Sequence, residues 1–322
     1  MPEDIKKHGA ILRHSSDSRT VLWILKYFLL SAFAWHYDDF ITTSLYTTAL
    51  MCIILAYYSF AGAVIAHNTM HCRCFHNHTL EEFWHIVLSL TYGHPVSTFV
   101  PGHNLSHHRY TQTRMDPMRT KKMRYKWNLL NFLLFQPTVA WGVLCMDIRY
   151  LLLKRQQRDG FFGKSCREWI VVVLTNLTLL IIHPTKFFLY FFLPHICAQW
   201  GIVTMNMLQH DGCDSNIDTD NRFDNYNTSR NFVGSFVNYL TFNNGYHTIH
   251  HMYPRMHWSR LREEHELQVK PKCNPNLNEK CMVSYIYRTF VYPGLRLDYL
   301  GNPVIPLVDN EQDLDWVANH ME

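Results

Sequence analysis

Three short runs of histidine carry spacings suited to metal binding: His67-Asn-Thr-Met-His71, His103-Asn-Leu-Ser-His107-His108 and His247-Thr-Ile-His250-His251. Residues three or four apart on a helix share a face, so each run offers two or three ring nitrogens in one direction. Neutral imidazole suits iron, zinc, copper and nickel. A structural zinc takes four ligands, usually with cysteine among them. Eight imidazoles are too many for one ion and about right for two. Di-iron sites in soluble bundles pair carboxylates with repeated Glu-x-x-His motifs. Here only Glu82-Phe-Trp-His85 matches, without a second copy. The expected centre is therefore rich in histidine. Cys72 and Cys74 lie beside the first run but form no CxxC pair, so they are expected to be small apolar wall residues.

The elements that position these runs are apolar and long. A membrane-spanning helix needs about 20 mainly apolar residues. Residues 40–66 contain no charge, and residues 21–37 before them hold a single Lys26, so the two should form a hairpin. Residues 169–182 and 187–209, around a His183-Pro184-Thr185-Lys186 turn, read as a second hairpin. Residues 83–100 and 127–153 are apolar but interrupted by polar residues and proline, and are expected to lie in the interface. The three runs can share a site only from one side of the bilayer, which requires an even number of crossings between His108 and His247. The second hairpin supplies both, so 127–153 should not span. The basic residues Arg119, Lys121, Lys122, Arg124, Lys126, Lys154, Arg155 and Arg158 fall on the histidine side, which makes that face cytoplasmic.

The composition agrees. The chain has 322 residues, 48% apolar and only 17% charged, against roughly a quarter charged in soluble domains. A formal net charge of +4 is too small to suggest a nucleic-acid partner. Nine cysteines, an odd number without a secretory signal, read as reduced thiols. The first 20 residues are polar and contain acids, so neither a signal nor a transit peptide is expected. Sequons at Asn77, Asn104, Asn176 and Asn227 overlap the histidine region or an apolar stretch and read as chance matches. The organisation expected is a cytosolic segment 1–20, a membrane domain 21–260 and a polar cytosolic cap 261–322. The fold class is all-α and integral to the membrane, with about four transmembrane helices in two hairpins plus interfacial helices.

The order HxxxH, HxxxHH, HxxHH with two hairpins resembles the integral-membrane fatty acid desaturase and hydroxylase superfamily. The resemblance runs over residues 40–260. It extends to His107-His108-Arg109-Tyr110-Thr111 with Asp116-Pro117, to Asn244-Gly245-Tyr246-His247, and to Tyr253-Pro254. It implies two iron ions held by His67, His71, His103, His107, His108, His247, His250 and His251, with O2 as oxidant. Members often add a histidine before the third box, and His210 in Gln209-His210-Asp211 fits that place. Asp116 and Asn244 are candidates to orient ligand imidazoles. The implied substrate is a long apolar lipid entering from the bilayer. The implied electron donor is a separate protein, such as cytochrome b5 or a ferredoxin, since no His-Pro-Gly-Gly of a fused cytochrome b5 occurs. A eukaryotic member would sit in the endoplasmic reticulum.

The chain departs from the pattern in two places. Asn68 stands where several subfamilies place Asp, and His247 opens the third box where front-end desaturases commonly use Gln. The second box with Asp116-Pro117 is also similar to that of carotenoid ketolases. The expected activity is lipid desaturation of a fatty acyl chain, with a hydroxylase or ketolase on the same scaffold as the rival. A membrane metal transporter is a remote alternative, because transport paths place ionisable residues in mid-span, and the clear spans here are nearly free of them. The other twelve histidines, His76, His78, His85, His94, His183, His195 and His257 among them, are expected to be interfacial or solvated.

Overall fold

The computed structural model describes residues 11–214, 225–304 and 312–317. Its main helices are α1 (Asp17–His36), α2 (Leu45–His71), α3 (His78–Tyr92), α4 (Asn128–Gln156), α5 (Gly160–Ile182), α6 (Pro184–His210), α7 (Ser235–Leu240) and α8 (His247–Met252). Strand structure among the described residues is one two-residue parallel pair, β1 (Asn231–Phe232) and β2 (Asn278–Glu279). The chain divides into two compact units, one of residues 1–99 and 154–202, the other of residues 100–153 and 203–322.

The first unit is built on α2. Ser44 caps its N-terminus by accepting from the Tyr46 amide at 3.2 Å, and the helix then runs 27 residues without a charge. Its second half carries Ala61, Gly62, Ala63 and Val64, all buried. A Cβ at Gly62 would lie 2.5 Å from Thr91, so the missing side chain is what lets α3 approach. Asn77, one of the sequons, caps α3 by accepting from the Leu80 amide at 3.0 Å. Gly93, at φ +72°, ends that helix in the left-handed conformation glycine tolerates best. Helix α1 packs on α2 through Trp23, Ile24 and Tyr27, and leaves Leu22, Leu25, Leu29 and Phe33 exposed at helical spacing. An apolar outer stripe on a helix whose inner face is already packed fits lipid better than water.

Several histidines expected at the interface are instead buried. His195 Nε2 lies 2.8 Å from the Tyr27 hydroxyl. His85 sits between two buried carboxylates, 3.3 Å from Glu81 and 4.0 Å from Glu168, while Glu82 faces outward to Arg167. The Glu82-Phe-Trp-His85 motif thus forms no pair, as expected: His85 pairs with Glu81, at the i, i+4 distance of a helix face.

In the second unit a π-helical segment, Val100–His107, leads through residues 108–127, which hold two short helical turns, to α4. Helix α6 enters this unit at Val203 and ends at His210. The hairpin-like turn before α8 uses left-handed backbone at Phe242 and Asn243. The Asn238 side chain bridges that turn, donating to Phe232 O at 2.6 Å and accepting from the Gly245 amide at 3.1 Å. A Cβ at Gly245 would lie 2.3 Å from that same carbonyl, so only glycine fits. Helix α8 then buries Ile249 and Met252 against Leu261, Val269 and Cys273, so residues beyond 261 complete the core beneath the third box.

Among the described residues, four helices are long and apolar enough to cross a membrane: α2, α4, α5 and α6. The chain is an integral membrane protein, as expected. The membership of the four differs from the sequence reading, because α4 qualifies and α1 does not. Arg19 and Lys26 lower the apolarity of α1, whereas the polar residues of α4, such as Asn131 and Asp147, are turned inward and leave a long apolar outer face.

Candidate metal centre

The second and third boxes meet with the end of α6. The Nε2 atom of His210 lies 3.1 Å from that of His107, 3.0 Å from that of His247 and 3.2 Å from that of His251. His247 and His251, one helical turn apart on α8, place their Nε2 atoms 3.1 Å from each other. All four ligand atoms lie within 4.8 Å of one another. Nitrogens bound to one ion at roughly 2.1 Å stand about 3.4 Å apart in a tetrahedron, so this spacing is close to that of a coordination shell.

A second set forms alongside. His108 and His103 bring their Nε2 atoms to 3.0 Å, and the His250 ring centroid lies 4.8 Å from that of His108 and 6.2 Å from that of His103. The reason for two sets is helical geometry. Adjacent residues on a helix diverge by about 100°, so His107 and His108 cannot face one point, and neither can His250 and His251. Each His-His pair contributes one ring to each set. The expectation of one direction per box is corrected in this respect. His103 is reached by the π turn, whose wider i to i+5 bonding brings its ring 5.2 Å from His107 and 4.5 Å from His108. In the first unit, His67 and His71 lie at the C-terminal end of α2 with ring centroids 5.0 Å apart.

Neighbouring groups fix which nitrogen is bare. His107 Nδ1 donates to Asp116 Oδ2 at 2.9 Å, with both side chains fully buried. His210 Nδ1 donates to the Thr228 carbonyl at 3.0 Å. Either bond leaves the lone pair on Nε2, which points into the set. Burial alone would raise the Asp116 carboxyl. The His107 imidazole and the amides of Gln112 and Met118 outweigh it and hold the group below the usual carboxylate range, so it is anionic. Burial, then the imidazoles of His247, His210, His107 and His250, lower His251 well below the ordinary value, so it offers a neutral donor. A neutral, all-nitrogen donor set with an anionic partner behind it fits a divalent transition metal.

Asn244 occupies a different place from Asp116. Its carbonyl accepts from Gln209 Nε2 at 2.7 Å, tying the loop before the third box to the residue before His210. Two contributors escaped the sequence reading. The Thr228 carbonyl leaves no side-chain trace. The buried ion pair of Asp211 with Arg296, bidentate at 2.6 Å and 3.0 Å, anchors the residue after His210. An acid directly after a candidate ligand was the available clue.

Comparison with known proteins agrees with this geometry. The pattern described as Fatty acid desaturase matches residues 44–279. An alkane 1-monooxygenase of Ectopseudomonas oleovorans is 23% identical over 224 residues, covering 67% of this chain. The chain spans about half the length of that curated relative, 53% of it.

Proposed function

The chain belongs to the fatty acid desaturase family, and on that premise we propose that it is a membrane-bound, O2-dependent di-iron lipid desaturase that introduces a double bond into a fatty acyl chain. The observation that carries the reading is the division of the boxes into two imidazole sets, which matches two ions better than one. His107, His210, His247 and His251 would hold one iron. His103, His108 and His250 would serve the other, and the three-box order of the sequence assigns His67 and His71 as further ligands. Bound iron would supply the activation of dioxygen that takes hydrogen from an unactivated C–H bond.

The chain's own residues do the rest. Asp116 keeps the proton on His107 Nδ1, and the Thr228 carbonyl does so for His210. Burial of His103, His107, His210, His247 and His250 keeps water from the ligand nitrogens. No side chain is required to donate or accept a proton from substrate.

Topology supports a lipid substrate. His107 and His210 meet, so an even number of crossings lies between them, and α4, α5 and α6 cannot all span. Helix α4 is the one assigned to the interface. Basic residues stand at both its ends, Lys126 on one side and Lys154 and Arg155 on the other, which the positive-inside rule places on one face. In this proposal α1, though less apolar than the four longer helices, pairs with α2 as a hairpin, so that α1, α2, α5 and α6 span and the histidine face is cytoplasmic. In a eukaryotic host the membrane would be the endoplasmic reticulum, and the electrons would come from a carrier such as cytochrome b5 or a ferredoxin.

The match to an alkane monooxygenase favours one second reading, insertion of oxygen into a lipid or alkane on the same scaffold. The metal part of the proposal is tested by iron analysis of the purified chain. Two irons per chain are expected, with His107→Ala and His108→Ala each retaining about one. A chain that takes up zinc in place of iron, or no metal, refutes it.

A further inference from the structure

We propose that the segment 312–317 is a clamp that holds the Asp116 loop against α4, with Asp313 as a positioning residue for His107; this rests on His107 being an iron ligand. The loop between the second box and α4 is wound around Asp116. Oδ2 of Asp116 accepts from the Gln112 amide at 3.0 Å as well as from His107, and Oδ1 accepts from the Met118 amide at 2.9 Å. Gln112 in turn accepts from the Thr120 amide and hydroxyl, at 2.8 Å and 2.7 Å. The Arg119 amide donates to the Asp116 carbonyl at 3.2 Å, which ties residue 119 directly to the residue behind His107.

Arg119 is 2% exposed, and its guanidinium pairs with Asp313, far along the chain. Lys122 adds a second bond to the same carboxylate at 2.8 Å. The segment is fixed on either side of Asp313. The Leu314 amide donates to the Arg114 carbonyl at 2.9 Å, and Arg114 Nε donates to the Gln312 carbonyl at 3.1 Å. Trp316, fully buried, donates to Met146 Sδ at 3.1 Å and lies against Tyr150, both on α4. Gly142 of α4 makes the room, since a Cβ there would stand 2.8 Å from Asp313 Oδ2.

An exposed ion pair would matter little, but a buried guanidinium must keep a carboxylate or move toward water. Without Asp313, Arg119 loses a carboxylate partner, and a shift of Arg119 is passed through its amide to the Asp116 carbonyl. His107 then loses the partner that fixes its ring, a change that typically costs ten- to a hundredfold in metal affinity or activity.

The test uses the full chain in detergent as wild type, Asp313→Asn, Asp313→Glu and Gly142→Leu. The last displaces the clamp without altering its charge. Hydrogen exchange of the metal-free protein reads the loop, and the rate of iron release to a chelator reads the ligand. In Asp313→Asn and Gly142→Leu, peptides covering 112–120 should exchange faster while those of α2 and α3 exchange as in wild type. One of the two irons should leave roughly tenfold faster. Asp313→Glu should restore both readouts. Unchanged loop exchange and iron release in both variants would overturn the proposal, and so would an opening spread equally over α2 and α3. A wild-type chain without iron refutes the functional reading, whereas the exchange data judge the clamp independently.

Discussion

At the residue scale, the centre depends on which nitrogen of each imidazole is bare. Asp116 is the side chain that decides this for His107, so Asp116→Asn, which keeps shape but loses charge, should lower iron affinity or turnover ten- to a hundredfold with little change in expression. Iron titration and activity in parallel would check it, and wild-type values in both would show that the 2.9 Å contact is incidental. His265 offers a separate test, outside the two imidazole sets. It is buried against Tyr246, and burial lowers its pKa to about 4. The unfolded chain therefore binds a proton at this position first as pH falls. Stability from neutral His265 is whole above pH about 6.5 and drains away as pH drops toward about 4. Thermal unfolding should show this acid sensitivity in wild type and a weaker one in His265→Phe. An identical slope in both would mean that other groups govern the acid limb.

At the element scale, the pieces that carry the candidate ligands were largely legible. The HxxxH, HxxxHH and HxxHH spacings mark helix faces, and those residues do lie on helical segments, with the ring nitrogens of the second and third boxes converging in the second unit. What the spacing hid was the splitting of each His-His pair, because a one-dimensional motif does not state that neighbours diverge by about 100°. The π turn at 100–107 was likewise invisible, since nothing in Val-Pro-Gly-His-Asn-Leu-Ser-His specifies i to i+5 bonding. The buried roles of His85 and His195 depend on partners far away in sequence, Glu168 and Tyr27, which local pattern cannot supply. Helix α4 is the element whose placement is most open to measurement. Cysteines introduced at Lys126 and Gln157, in a background with the native cysteines replaced, should both react with an impermeant reagent from the same side of sealed vesicles. Labelling from opposite sides would make α4 a crossing helix and break the parity that unites the second and third boxes.

At the scale of the whole molecule, the proposed activity is oxidation of a lipid drawn from the bilayer. Apolar helices with exposed outer stripes embed the chain. His71 and His210 are the last residues of the apolar helices α2 and α6. The proposed choice between removing hydrogen and inserting oxygen depends on where a substrate carbon comes to rest, and the chain matches both a fatty acid desaturase pattern and an alkane 1-monooxygenase. Expression in yeast under 18O2, with total lipids compared by mass spectrometry between the wild type and a His107→Ala, His108→Ala double variant, tests the central claim most directly. The account predicts lipids two mass units lighter than their precursors, free of 18O and absent from the variant. Products heavier by one 18O atom would contradict desaturation and establish a monooxygenase, and new lipids formed equally by the variant would contradict the metal centre itself.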